Sequence, residues 1–488
     1  MPVNTLHPDY SKSLSAWQMC NDFVSGTSVV KAKKEKYLPR PNPNDTSNDA
    51  QQRYDNYLKR AVFYEYSSKT VNQYLGLAFK QDPICEVDKR LEHLKTNANG
   101  QGVSLYHLAQ QGLKSLLVNG RFGLWVDYPS VKIEAQNKQQ QKEIESVVDL
   151  KPTIIYFSAE QIINWRIEPR FNQLALTMVV LHEIVQQAGK DGFETVLVEQ
   201  YRELGLNEQN QYYVRLWQKK DGQFTVVSEA KPTINGKHLD YIPFQIFGSQ
   251  TNTFATQIIP IEPLVHIEHG IYCNSADVEN SRFLCGQIQP FMNVDNQTAD
   301  YYNRVDENGV KVNPLRLGSE TVIMLGENGS FGFAQAQPNT MATEGIAEKR
   351  EIIAELGYQL GQSGTGIKTA TQAENEQTAQ HSQASLCVAN INEGMFNVLI
   401  WCSRYANVTT EPKFSIRQQF SPVTVDVNVL NTLSGLIDSG KLPKSVIWAK
   451  AKEYNLLNAE LSDDDIAGMI ESDLPLGYIN DTKASDTT

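Results

Sequence analysis

At 488 residues the chain is long enough to bury a sizeable core and hold two or three substructures, and 41% hydrophobic with 20% charged residues excludes wholesale disorder. A net charge of -12 excludes a protein that grips phosphates over most of its surface, because such binders gather Lys and Arg to displace counterions. Cys20, Cys85, Cys273, Cys285, Cys387 and Cys402 form no C-x-x-C pair, no run approaches the ~20 apolar residues that span a bilayer, and no apolar signal core opens the chain. Reduced thiols in a soluble, cytosolic, non-membrane protein are therefore expected.

The segment 39–49, PRPNPNDTSND, reads as a loop, because its prolines deny helix and Asn and Asp favour turns. Tyr54, Leu58, Val62, Tyr66, Val71, Leu75 and Phe79 then fall at mostly helical spacing and predict one or two packed helices over 51–79. A helix over 105–118 runs into the turn Asn119-Gly120, after which Phe122, Leu124 and Val126 alternate as in a strand. The polar stretch EAQNKQQQKEIES reads as an exposed loop. Strands are predicted at TIIYFS, LALTMVVLHEIV, ETVLVEQYR, YYVRLWQ and FTVVSEA, so the first half is mixed, with an antiparallel sheet.

From Pro260 the pattern turns helical, with Leu264, Ile267, Ile271 and Val278 on one stripe. Strand candidates follow at GQIQPFM, TVIML and FGFAQ, the last two joined by the hairpin-like GENGS. A second helix starts near Thr340, with Ile346, Ile353, Leu356 and Leu360 on its apolar face, and Gly361 is expected to stop it. Thr371 and Glu374 have capping-box spacing for a helix reaching about Tyr405, on the order of 50 Å long. Its first part is polar nearly all round, which suits a water-filled lumen or a wet interface; Cys387, Ile391, Met395, Val398 and Cys402 make an apolar stripe, and Gly394 is read as a place to bend. After a strand at KFSIRQQF come two helices separated by Gly440, with Pro443 near the start of the second, and a further one capped by Ser462 and Asp465. Two helices split by a strand module suit a ring around a pore better than a closed active site.

The loop GQSGTGIKT invites a phosphate-loop reading, but Ile367 separates Gly366 from Lys368 and a helix, not a strand, precedes it. A linker between helices is the better account, with Lys368 meeting phosphates in passing. Glu262, His266 and His269 share a helix face, yet no second E-x-x-H partner exists, so solvated polar residues are expected and no metal site. The tail's helix–Gly–helix has too little positive charge for a DNA reader, and the basic KAKKEKYLPR reads as solvated surface or a partner for acidic neighbours in an assembly. No G-x-S-x-G or H-E-x-x-H occurs; no catalytic residue, cofactor or enzyme activity is expected.

The order of HPDY with Trp17, KYLPR, YLKRAVFYEYSSKTVNQYLGLAFK, LVNGRFGLWVDYP, IIYFSAEQIINWR, YIPF, NSADVEN and LRLGSETVIML resembles bacteriophage portal proteins, specifically the portal-like group long labelled a domain of unknown function. The resemblance implies an α+β phage portal fold with a mixed α/β wing, a two-helix stem, a small β-containing clip, a long kinked wing helix and a helical crown. Residues 1–260 would be the wing, 261–285 a stem helix, 286–338 the clip and 339–360 the second stem helix. The tunnel loop would be 361–369, the long wing helix 370–408, a wing strand 409–422, and a compact crown and tail 423–488.

Such proteins form rings, usually dodecameric, at a unique capsid vertex, the head-to-tail connector through which double-stranded DNA is packaged and ejected. The implied partners are further copies of the chain, transiently and non-specifically held DNA, the large terminase, major capsid and scaffold proteins, and tail adaptors. The implied location is the virion, after assembly in the host bacterial cytoplasm. The implied tunnel loop is Gly361, Gln362, Ser363, Gly364, Thr365, Gly366, Ile367, Lys368 and Thr369, with Lys349 and Arg350 as candidate channel-lining cations. A net-acidic ring would disfavour phosphate adhesion, screened beyond ~10 Å at moderate salt. Competing readings are another ring-forming virion adaptor or tail protein, and a nucleotide hydrolase using the Gly-rich loop.

Overall fold

The computed structural model describes residues 2–128, 151–170, 173–189, 191–234, 236–287, 289–316, 322–335, 340–356, 370–416, 427–453, 456–457 and 461–473, with side chains from 383 onward in the segment that begins at 370. The chain divides into two units, Met1–Gln418 and Gln419–Thr488.

In the first unit, α1 (Pro8–Val24) starts where the His7 ring accepts the Asp9 N–H at 3.2 Å, and it buries Tyr10, Trp17, Cys20 and Phe23. A short α2 (Thr27–Ala32) leads into the proline-rich loop, which Ser47 ends by capping α3 (Asn48–Arg60) through the Ala50 N–H at 3.2 Å. The expected 51–79 segment is two helices, the second being α4 (Tyr66–Ala78). Val62, read as core, lies in the break between them and is exposed, while Leu58 and Leu75 are half-buried. After β1 (Ile84–Glu86), Ser104 caps α5 (Leu105–Asn119), which ends at Gly120 with φ 70°. A Cβ there would be strained by that φ and would sit 2.8 Å from the Ile258 carbonyl oxygen, so only glycine fits.

Strands β2 (Arg121–Asp127) and β3 (Thr153–Ser158) belong to a three-stranded antiparallel sheet. Every residue from Phe122 to Val126 is buried, because β2 is the central strand and both its faces are covered; the expected alternation is therefore absent. A five-stranded antiparallel meander follows: β4 (Ile162–Arg170), β5 (Gln173–Ala188), β6 (Thr195–Leu206), β7 (Tyr212–Lys220) and β8 (Gln223–Ala230). Four of these match predicted strands. The unpredicted β4 carries Pro169, tolerated because β4 is the sheet edge. A short pair, β9 (Thr233–Ile234) and β10 (Lys237–His238), precedes β11 (Phe244–Gly248), the third strand of the β2 sheet. The polar stretch 134–146 lies outside the described residues.

The segment from Pro260 forms α6 (Glu262–Cys285), β12 (Gln289–Asn293), an unpredicted α7 (Asn296–Asn303), β13 (Ser330–Ala334), α8 (Met341–Glu355), α9 (Ala370–Tyr405) and β14 (Lys413–Ser415). The expected hairpin is corrected here. Turn residues Gly326 and Asn328 do adopt positive φ, but residues 322–325 form no strand, and β13 pairs instead with β12. Leu356 is exposed, while Leu360 and Gly361 lie outside the described residues. α9 runs 36 residues, and Cys387, Ile391, Met395, Val398 and Cys402 are all buried as its stripe predicts. Gly394 does not interrupt the helix: a Cβ there would collide with the Phe247 ring of β11, so the glycine serves close approach. β14 pairs with β1, joining residues more than 300 positions apart; only 413–415 of the predicted strand 413–420 is strand, and 417–420 lie outside the described residues.

The second unit holds α10 (Val427–Asp438), a turn at Gly440 with φ 70°, α11 (Ser445–Glu453) and α12 (Asp463–Asp473). Ser462 and Asp465 cap α12 reciprocally: the Asp465 N–H donates to Ser462 Oγ at 3.1 Å, and the Ser462 N–H donates to Asp465 Oδ2 at 3.0 Å.

Candidate functional site

The candidate site is the helix pair α6 and α8 with the small β12–α7–β13 module between them. The pair is antiparallel, since the Cβ position of Gly345 faces Asn274 Nδ2 at 2.7 Å and that of Gly270 faces Lys349 Cε at 2.8 Å. Glycine on each helix lets a side chain of the other lie against its backbone.

A buried carboxylate ties α6 to the helical layer. Glu268 is 1% exposed; its Oε1 accepts the Tyr66 N–H at 2.7 Å, and its Oε2 accepts the Ser67 N–H at 3.0 Å and the Ser67 hydroxyl. These amides open α4, where Glu65 at φ 56° provides no side-chain cap, so Glu268 supplies the missing acceptor from another helix. Burial raises its pKa to about 7, against the opposing pull of the three donors. Three more polar ties follow along α6. Ser275 Oγ donates to the Val62 carbonyl at 2.6 Å, Asp277 accepts from Tyr57 Oη at 2.7 Å, and Asn280 accepts from Arg60 at 3.0 Å.

The nine candidate tunnel-loop residues 361–369 lie outside the described residues, as do the side chains of the polar start of α9. Both other candidate cations are placed. Lys349 is half-buried along α6, its Nζ donating to the Gly345 carbonyl at 3.4 Å. Arg350 is exposed, but its Nε donates to Tyr66 Oη at 2.9 Å and its guanidinium lies 5.2 Å from the Tyr64 ring centre. Arg350 is thus held against Tyr66, one of Glu268's own partners, while Lys349 lies against the backbone of α6 at Gly270.

His266 does sit 3.7 Å from Glu262 at the surface, but His269 is not solvated: its Nε2 lies 2.9 Å from the Tyr37 carbonyl oxygen. No cluster of three or more metal-binding side chains occurs among the described residues. The basic segment 31–40 pairs within its own chain, Lys33 and Lys36 with Asp22 and Arg40 with Glu35.

Two polar residues escaped sequence reasoning. Glu268 had a visible signal, a carboxylate on the stripe formed by Leu264, Ile271 and Val278. Arg121 had none. It is 1% exposed, its guanidinium lies 4.4 Å from the Trp165 ring and 5.9 Å from Trp17, and none of its three side-chain nitrogens has a hydrogen-bond partner among the described residues. Burial lowers its pKa to about 10.

Residues 260–406 match the family described as Domain of unknown function (DUF4055), a span that begins just before α6 and ends just after α9. No curated protein matches the chain. Among solved structures the chain is similar to the neck of an empty GTA particle computed with C6 symmetry, at 12% identity and TM-score 0.40 over 88% of this chain and 99% of that one. It is also similar to the neck of a native GTA particle computed with C12 symmetry, at 11% identity and TM-score 0.39 over 86% of this chain and 98% of that one.

Proposed function

We propose that the chain is a bacteriophage portal protein, with a structural and not a catalytic role. Identical subunits close into a ring at one capsid vertex, its hollow axis passes double-stranded DNA in packaging and ejection, and terminase and tail adaptors dock on it. On this reading α6 and α8 are the stem, the β12–α7–β13 module the clip, α9 the long wing helix and α10–α12 the crown, while α1–α5 and the first two sheets make the wing.

The observation that carries the reading is the composition of the module's surface. Phe291, Val305, Val310, Val312, Val322 and Phe333 are each more than half exposed, and among the module's described residues Tyr302 alone is a buried large apolar side chain. Clustered exposed apolar side chains are a liability in an isolated chain and are covered when copies pack side by side. The resemblance in the order of the sequence blocks supports the same assignment. Lys368 and the exposed Arg350 then act as brief guides for the duplex, without a trap.

Electron microscopy of the purified protein tests this. A ring with a duplex-wide central hole is expected; a particle that stays monomeric at every concentration and salt refutes it. Lys368→Glu with packaging and ejection unchanged removes the guiding role alone.

A further inference from the structure

We propose that a groove between α3 and α6 receives the outer face of α8 from a second copy of this chain. This rests on the ring reading and names the contact that holds neighbouring subunits together. The groove has a volume of about 570 Å³ and is lined in part by Arg40, Arg53, Tyr57, Arg60, Phe283 and Leu284. Its charge is positive on balance, because Asp45 is the sole carboxylate in the lining against three arginines. Arg40 and Arg53 are engaged by Glu35 and Asp45, both at 2.7–2.8 Å. Arg60 has no carboxylate partner among the described residues; it donates to Asn280 and lies 3.7 Å from the Phe283 ring centre, which leaves its charge uncompensated. Phe283 and Leu284 are exposed at the groove edge.

The occupant is argued from α8. Gly345, Ile346, Lys349 and Ile353 turn toward α6, either in contact with it or buried. Glu344, Glu348, Glu351 and Glu355, spaced four, three and four apart, therefore form a stripe on the opposite side of the helix. All four are exposed, and none has an ion-pair partner among the described residues. Exposed Met341 and Ile352 flank the stripe. One face thus offers arginines with an apolar edge, and the other offers carboxylates with an apolar edge. Unlike patches on one chain make a heterologous contact, the kind that generates a ring when its rotation closes. Charge complementarity at such a contact fixes register and partner, and buried apolar edges add affinity.

The test measures assembly of the full chain against protein concentration at fixed salt, by mass photometry. Glu348→Lys with Glu351→Lys, and separately Arg53→Glu with Arg60→Glu, are each expected to raise the concentration for half-assembly by about tenfold or more. The chain carrying all four reversals is expected to return to within about threefold of wild type, because opposite charges face each other again. Helical circular dichroism confirms folding; should a reversal fail to fold, the neutral pairs Glu348→Gln/Glu351→Gln and Arg53→Gln/Arg60→Gln carry the same prediction at smaller size. Wild-type rings that persist unchanged in both reversed variants, or a fourfold variant that stays as weak as the single pairs, overturn the proposed contact while leaving the ring reading intact. A stripe that instead faces the channel gives the first of these results. A wild-type chain that never assembles overturns both.

Discussion

Glu268→Gln makes the polar tie between α6 and α4 measurable. The carboxyl titrates near 7 in the folded chain against 4.5 when unfolded, because burial disfavours the anion more than three donors favour it. A folded pKa above the unfolded one means that the folded state holds the proton more tightly. The stability this adds is complete below about pH 4.5 and is lost as pH rises through 7. Integrated between pH 5 and pH 8, the loss is about 2.5 kcal/mol. Glutamine has no proton to lose, so this part of the pH dependence disappears. At pH 5 the wild-type carboxyl is protonated, and its hydroxyl oxygen can still accept an amide N–H while giving its own proton to Ser67 Oγ; the glutamine NH₂ group can only donate, which leaves the Ser67 or Tyr66 N–H without an acceptor and costs about 1–2 kcal/mol. The variant should therefore be less stable than wild type at pH 5 and equal to it, or slightly more stable, at pH 8. Urea unfolding of both proteins at the two pH values is the assay, and the difference of differences isolates Glu268 from every other carboxylate. Parallel pH profiles would refute the buried, proton-holding assignment.

Gly394→Ala should lower stability by about 1–3 kcal/mol, because its methyl group enters the Phe247 ring; adding Phe247→Leu should recover part of that loss in thermal melts. Arg121→Met should change stability by less than about 1 kcal/mol, since an apolar chain of similar reach removes an unpaired buried charge at the expense of its stacking on Trp165, whereas Arg121→Ala should cost about 3 kcal/mol through the cavity it leaves. Ser462→Ala should cost α12 about 1 kcal/mol and reduce helical circular dichroism in a melt of the full chain, because the Asp465 N–H loses its acceptor.

Elements that announce themselves through their own side-chain period were legible. Strands β5 to β8 are rich in β-branched and aromatic residues and are separated by short polar turns, and the buried stripe of α9 recurs at helical spacing. Elements decided by distant neighbours were not. The GENGS turn is a sound local signal, but the partner of β13 is set by β12, some 40 residues earlier, which no local pattern reports. Gly394 reads as a hinge in one dimension because its cause, Phe247, is nearly 150 positions away. The same holds at the site: Glu268 stands out on an apolar stripe, yet nothing local says that its partners are the first amides of α4.

The polar ties along α6 also explain how a helix pair can be presented at a defined angle. Apolar burial fixes that α6 stays against the helical layer but is indifferent to small rotations about its axis, because its energy follows area and not direction. Hydrogen bonds at Glu268, Ser275, Asp277 and Asn280 are directional and spaced over three turns, so a rotation that improves one breaks another. Beyond Cys285 the module loses that kind of anchoring and exposes its apolar side chains instead. In the proposed ring an angular error at each subunit is repeated at every contact around the circle, and closure fails unless the stem is set by its own chain before neighbours meet. The burial of a carboxyl that remains partly protonated near neutral pH is then intelligible: it destabilises the chain slightly, and it holds the orientation of α6.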